Sequence, residues 1–540
     1  MAIVRQFSIS FFLKQRTHRV TDTKLFGGLC LFFIAVFGCF IALSWAEPRI
    51  VEPPLRFDFQ PPDNISLTGR NVVVYQSWMT MPVDHFDPQN TDTFLMRYMF
   101  NDQFFTEEGG PIFIMVGGEW TIAAGWLLVG NMYQMASENR GFQIYTEHRY
   151  YGQTLPYTSF TTENLRFLNV DQALADLAYF IRDIKVVMPH LSKSKVILFG
   201  CSYAANMVIW FKQRYPHLVE GVIASCGPIN GKVDFTGYLE VVHSSFLSEG
   251  GEECISIIRQ GIADTISAMD TEAGRRSLEA TYRLCSPLNY DNPYDLGYFS
   301  GLISWTFSSS TQTARPGTII DICRNFESTA YGTTPMEKVA GYINTVRGLT
   351  TCWSLNYEAY VQNYMLNTES RAWYYQTCTE YGYYQTAPRT GTVFDGLTWL
   401  SVDFYVNLCE RIFSERFNEA FVYDAVDRVN RMFGGLEPNA NNTINIHGAI
   451  DPWHSLGLHE RDIKEGSPTF FKDRFETNSC LHTINVISYK GVYNLYLFYN
   501  YKFLCIMYKN LYFLCISRQA DQSQHNGRWH PHLLTSNLSL

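Results

Sequence analysis

Residues 196–210 read VILFGCSYAANMVIW. An unbroken apolar run, the pattern of a fully buried strand, reaches Gly200-Cys201-Ser202-Tyr203-Ala204, and an apolar, helix-compatible run follows. Strand, sharp turn and helix in direct succession is the arrangement that lifts a serine hydroxyl above the end of a sheet. Only small neighbours let the chain bend so tightly, and Gly200 and Ala204 supply them. Gly-x-Ser-x-Ala is short enough to recur by chance, so its weight comes from the strand before it and the helix after it.

The same rhythm extends on both sides. PIFIMVGG (111–118) is a buried-strand run ending in glycines, and FQIYTEHRYYG (142–152) is a second strand running into a polar turn. Residues 169–185 open on Asn169 and Gln172, a capping-box-like pair, and place Leu174, Leu177, Ala178, Ile181 and Ile184 on one helical face. KVILF (195–199), a helix through Tyr215 and EGVIAS (220–225) follow. Strands alternating with helices predict a parallel sheet covered on both faces. The rhythm breaks at Gly227-Pro228. The next stretch is aromatic, with helical runs such as ECISIIRQGIADTISAM (253–269), until NTINIHG (442–448) returns to strand. The expected fold is α/β, an α/β-hydrolase fold with a large inserted helical cap domain. Its parts are 47–228 and 426–482 for the hydrolase domain and 229–425 for the cap.

Upstream, Arg5, Lys14, Arg16, Arg19 and Lys24 precede the apolar run LFGGLCLFFIAVFGCFIAL (25–43) and the small-x-small exit Ser44-Trp45-Ala46. Residues 1–46 are read as a secretory signal, with a retained membrane anchor as the alternative. Removing them takes away five bases and one acid and moves the formal net charge from −9 to −13. So acidic a chain excludes nucleic acid, and excludes an anionic membrane unless the anchor is kept. The 13 cysteines fit an oxidising compartment. Cys254, Cys285, Cys323, Cys352, Cys378 and Cys409 cluster in mid-chain, and spacing alone leaves their pairing open. No CxxC or His-x-x-x-His spacing occurs, so neither a metal nor a cofactor is expected. Asn64, Asn441 and Asn537 lie in glycosylation sequons.

A serine hydroxyl needs a histidine to take its proton and an acid to orient that histidine. The acid should follow the nucleophile, at the end of a later strand, and Asp451 stands just after TINIHG and before Pro452-Trp453. The oxyanion of the reaction needs backbone N–H donors. Tyr203, next to the nucleophile, should give one, and the Gly117-Gly118-Glu119 turn, with Gly118 at its centre, a second.

GGEW (117–120), EHRYYGQTLP (147–156), FGCSYA (199–204), YRLCSPL (282–288), WYYQTCTEYGYY (373–384) and NIHGAIDPWHSLG (445–457) together resemble the prolylcarboxypeptidase and dipeptidyl-peptidase II family of serine peptidases. The nearest branch is that of thymus-specific serine protease. The resemblance spans roughly residues 70–457. It implies an α/β-hydrolase domain with the inserted SKS-type helical domain, a lysosomal or secreted location, and exopeptidase cleavage next to proline. It maps the nucleophile onto Ser202 and the acid onto Asp451, and places Tyr203 and Trp453 along the proline pocket. It also implies disulfides Cys254–Cys323 and Cys285–Cys352, with Cys378 and Cys409 bonded as well.

The chain departs from the family in three places. Cys201 replaces a glycine beside the nucleophile, and Cys226 ends the neighbouring strand; the two are read as buried, unbridged thiols, with a bridge between them as the alternative. Asn206 replaces an apolar pocket residue, which weakens a strict preference for proline. The family histidine lies in a small-x-His-Cys turn some 25 residues beyond the aspartate. Here NSCLHTI makes His482 the best placed base, ahead of His459, His525, His530 and His532, whereas His454 matches a histidine of the thymus-specific branch and is not read as the base. Residues 483–540 have the composition of translated AT-rich non-coding sequence, and are expected to stand in place of a final exon. The leading reading is a secretory-pathway serine exopeptidase acting on proline-containing peptides, with a homodimer as its oligomeric option. Its rivals are a peptide-binding hydrolase-like protein lacking the family histidine, and a carboxylesterase.

Overall fold

The computed structural model describes residues 73–106, 110–349, 351–460, 462 and 466–472, and the backbone of 503–508 and 512–517. The strands in chain order are β1 (Tyr75–Pro82), β2 (Thr93–Asn101), β3 (Ile112–Val116), β4 (Phe142–Thr146), β5 (Val196–Cys201), β6 (Gly221–Ser225), β7 (Lys232–Asp234), β8 (Gly382–Tyr384), β9 (Thr443–Gly448), β10 (Thr469–Lys472), β11 (Phe503–Tyr508) and β12 (Tyr512–Ser517). Eight of them form one sheet in the order β1-β2-β4-β3-β5-β6-β9-β10. From β4 to β10 the neighbours run parallel, as the alternating pattern predicts. Strands β1 and β2 instead form an antiparallel hairpin on the β4 edge. The purely parallel expectation fails there because β1 is an edge strand with an exposed face: Met79 and Met81 turn inward while Trp78 and Thr80 stay exposed or nearly so.

The order β4-β3-β5 puts a switch point between β3 and β5, because the chain leaves β3 toward β4 and returns on its other side. In such sheets the crevice beyond the carboxyl ends of those two strands is where ligands sit. The helices between the strands close both faces. One spans Val170–Val187: Asn169 Oδ1 caps it by accepting from the Gln172 amide at 3.0 Å. Only half of a capping box forms, since the Gln172 side chain donates to Asp84 at 2.6 Å. Behind β4, Arg149 binds both oxygens of Asp176 at 2.6 and 2.7 Å, and His85 Nε2 meets the same carboxyl at 2.7 Å.

After β6 the chain makes a long helical excursion, the insertion that makes this an α/β-hydrolase fold with a helical insertion. Strands β7 and β8 pair Lys232 with Gly382, tying its first residues to a point deep within it. The 32-residue segment Gly237–Ala268 is two helices joined at Gly251, whose φ of 82° breaks the run. The helix Pro293–Gln312 is buried along nearly its whole length. Ring stacks such as Tyr298 on Tyr360 (4.3 Å) and Tyr384 on Tyr405 (5.1 Å) fill the interior, which is where much of the aromatic excess goes. Disulfides join Cys254 to Cys323, Cys285 to Cys352, and Cys378 to Cys409. The first two are the pairs implied by the resemblance, and the third joins the two cysteines it left unassigned.

Strands β11 and β12 pair only with each other, antiparallel. Residues 1–72, Asn64, His482 and Asn537 lie outside the described residues, and Asn441 is exposed just ahead of β9. Among the described residues no helix is long and apolar enough to cross a membrane, and no cluster of side chains could hold a metal.

Candidate active site

Strand β5 ends at Cys201 and a helix begins at Tyr203, so a single residue makes the turn. Ser202 adopts φ 55° and ψ −131°, a conformation that L-residues avoid and keep only where the surroundings enforce it. Here its amide donates to the Ser225 carbonyl at 3.0 Å, pinning the turn to β6. Gly200 is required: a β-carbon there would stand 2.2 Å from the Ala204 carbonyl oxygen. Ser202 Oγ donates to Glu119 Oε1 at 3.3 Å. Glu119 follows β3, so serine and carboxylate face each other across the switch point. Sequence reasoning passed over Glu119 itself, although it lies inside the quoted GGEW.

Asp451 follows β9 by three residues and is buried. Strand β6 lies between β5 and β9, and the amide of Cys226 donates to the Ile446 carbonyl at 2.8 Å. Ser202, Cys226 and Asp451 therefore cap three adjacent strand ends. Asp451 Oδ1 accepts the Trp453 amide at 3.1 Å, and the Cys226 thiol also bonds the carboxyl. Oδ2 is buried and has no hydrogen-bond partner among the described residues. Burial pushes this carboxyl up to about 7, and the two donors offset that only in part.

Cys201 and Cys226 form no bridge: both are buried thiols. They belong to different surroundings. Cys201 lies close enough to Tyr145 to affect its hydroxyl electrostatically, whereas Cys226 is engaged with Asp451.

Tyr203 is buried, its ring between His148 (5.5 Å), Tyr381 (5.3 Å) and Trp373 (5.8 Å). His148 Nδ1 faces the Arg149 carbonyl at 2.7 Å, which can only accept, so Nδ1 carries the proton. Nε2 then accepts from the Tyr203 hydroxyl at 3.2 Å. Burial lowers the His148 pKa to about 4 and keeps the ring neutral. Asn206 is fully buried, and its amide donates to the Pro228 carbonyl and to the Tyr383 hydroxyl, both at 3.2 Å. Its polar end thus braces the floor of the site. Trp453 packs edge-on against Tyr238 (5.2 Å) and Tyr383 (5.4 Å). Gly118 is the second residue after β3, and the Gly117 amide before it is taken up by the Thr146 carbonyl at 2.9 Å.

Of the histidines, His482, His525, His530 and His532 lie outside the described residues. His454 Nδ1 bonds the backbone carbonyl of Asp451 at 2.7 Å, and His459 Nδ1 that of Gly457 at 3.0 Å, so neither bond is to the acid's carboxyl.

Residues 81–472 match the family profile described as serine carboxypeptidase S28. Thymus-specific serine protease of Mus musculus is 29% identical over 411 residues, covering 72% of this chain and 79% of that protein. Lysosomal Pro-X carboxypeptidase of Bos taurus is 27% identical over 475 residues, covering 81% and 89%. Among solved structures, esterase E22 covers 77% of this chain and 97% of its own at 13% identity, with a TM-score of 0.32.

Proposed function

From the premise that this chain belongs to the serine carboxypeptidase S28 family and is a serine peptidase, we propose that it is an exopeptidase of the secretory pathway hydrolysing peptides next to proline. The observation that carries the reading is the pairing of a Ser202 forced into the left-handed region with a buried carboxyl, Asp451, two strands away on the same sheet edge.

Ser202 Oγ attacks the scissile carbonyl and forms the acyl bond. A histidine takes the hydroxyl proton and returns it to the leaving amine, and Asp451 orients that histidine. His482 is the candidate for the histidine. The unengaged Oδ2 of Asp451 suits an imidazole N–H, and the high pKa of the carboxyl is what a nearby imidazolium would relieve. The amides of Tyr203 and Gly118 serve the oxyanion. Tyr203 and Trp453 offer flat walls to a pyrrolidine ring, with Asn206 behind them. The location proposed is the lysosome or the extracellular space, consistent with three disulfides and with the bovine relative's name.

A fluorophosphonate probe tests the nucleophile: labelling abolished by Ser202→Ala is expected, and no labelling of the full chain sinks the peptidase chemistry. Turnover of a proline anilide peptide against the alanine analogue and a short acyl ester tests the substrate class. Equal turnover of proline and alanine overturns the proline preference, and turnover of the ester alone supports a carboxylesterase.

A further inference from the structure

Phe235, Tyr238 and Tyr383 of the insertion pack against Trp453, and Gln312 adds a hydrogen bond to its indole. Gln312 is the last residue of the helix Pro293–Gln312 and is 3% exposed. Its Oε1 accepts from the Trp453 indole Nε1–H at 3.0 Å and from the Tyr238 hydroxyl at 2.6 Å. An indole N–H only donates, so the oxygen, not the amide nitrogen, must face it, and the carboxamide is held in one orientation. The partners are distant in sequence, 141 residues for Trp453 and 74 for Tyr238. Trp453 is engaged at both ends. Its indole is held by Gln312, and its backbone amide donates to Asp451 Oδ1 at 3.1 Å. Its ring also meets Tyr383, whose hydroxyl accepts from Asn206, one turn along the helix that Ser202 starts.

We propose that Gln312 is a positioning residue through which the helical insertion sets the indole wall of the pocket and the turn that carries Asp451. A buried indole N–H without an acceptor would rotate or draw in water, and either response moves the wall. Gln312→Leu removes the acceptor at similar volume, whereas Gln312→Glu keeps an oxygen in place for both donors. The proposal rests on the reading of Trp453 as a wall of the proline pocket.

In full-length protein labelled with 15N-tryptophan, the Trp453 indole signal is assigned by its loss in Trp453→Phe. It is expected to move upfield in Gln312→Leu and to stay near its wild-type position in Gln312→Glu. On a proline anilide peptide, Gln312→Leu should lower kcat/KM by about 10-fold, mostly through KM, the effect of one lost hydrogen bond. Gln312→Glu should recover most of that loss. An unmoved indole signal in Gln312→Leu overturns the proposal, as does a loss in kcat/KM that Gln312→Glu shares in full. Should Gln312→Leu fail to fold, Tyr238→Phe decides. It leaves Oε1 to the indole alone, so the Trp453 signal should move downfield, and no movement overturns the proposal. A wild-type chain that turns over no proline peptide sinks the substrate reading, while the indole signal still reports on Gln312 independently.

Discussion

Two buried aspartates sit in the same sheet domain and meet opposite fates. Asp176, on the helix behind β4, has both oxygens clasped by Arg149 and a further bond from His85. Burial alone would push its carboxyl up, but the Arg149 guanidinium and the hydrogen bonds from Arg149 and His85 outweigh it, and the net result lies below the ordinary carboxylate range. Asp451, beyond β9, has a backbone amide and a thiol but, among the described residues, no cation, and burial carries it up to about 7. A buried charge that holds the fold together is fully paired, because an unpaired one would destabilise it. A carboxyl left short of partners at the end of a strand is the kind found at functional sites.

Substitution should separate the two. Asp451→Asn should reduce kcat by about ten-thousand-fold with the circular dichroism unchanged, as expected where an acid fixes a histidine's tautomer. Asp176→Asn should leave kcat per folded molecule near wild type, so a comparable loss in both variants would erase the distinction. In urea unfolding the ranking reverses. Asp176→Asn should cost about 3–5 kcal/mol because Arg149 is left charged and unpaired. Asp451→Asn should instead stabilise the fold at neutral pH.

The pH dependence sharpens the contrast further. A carboxyl whose folded pKa is raised from 3.8 to about 7 favours the fold below its unfolded pKa and withdraws that support as pH rises through 7. Asp451→Asn should therefore gain on wild type as pH rises from about 4 to 7, by up to about 4 kcal/mol, hold that gain above pH 7, and lose it below pH 4. Asp176, with its pKa lowered, behaves oppositely: its contribution is present above the unfolded pKa and fades in acid, so the penalty of Asp176→Asn should shrink there. Urea midpoints of the three proteins at both pH values check this, and differences independent of pH would refute the assignment. The smallest effect concerns the thiol. Cys226→Ala should lower kcat/KM by about threefold to tenfold, and Cys226→Ser, which restores a donor to Asp451, should recover it. Equal loss in both variants would mean that the thiol matters only for packing.

What could be read from the sequence follows the range of the forces involved. The turn at Ser202 is local: Gly200 and Ala204 state its steric demand within five residues, and the cap at Asn169 is equally short in reach. Asp451 was legible because a strand, TINIHG, points at it. The hairpin β1–β2 was not read, since an edge strand with one exposed face carries a weaker apolar signature than β3 or β5. Contacts made only by tertiary folding left no local trace at all. Glu119 meets Ser202 across 83 residues, and Gln312 meets Trp453 across 141. Cys201 and Cys226 stand at the ends of neighbouring strands, yet that adjacency left open whether they bond, and both remain buried, unbridged thiols.

The long excursion between β6 and β9 has a consequence for how the protein is made. Ser202 and Asp451 are 249 residues apart in the chain, and most of that distance is helical insertion. During synthesis the elbow emerges and can dock on β3 and β6 while the strand that brings the acid is still untranslated. Until the insertion has folded and β9 has joined β6, the serine has no Asp451 behind it. The order of assembly itself withholds Asp451 from the serine until late in synthesis.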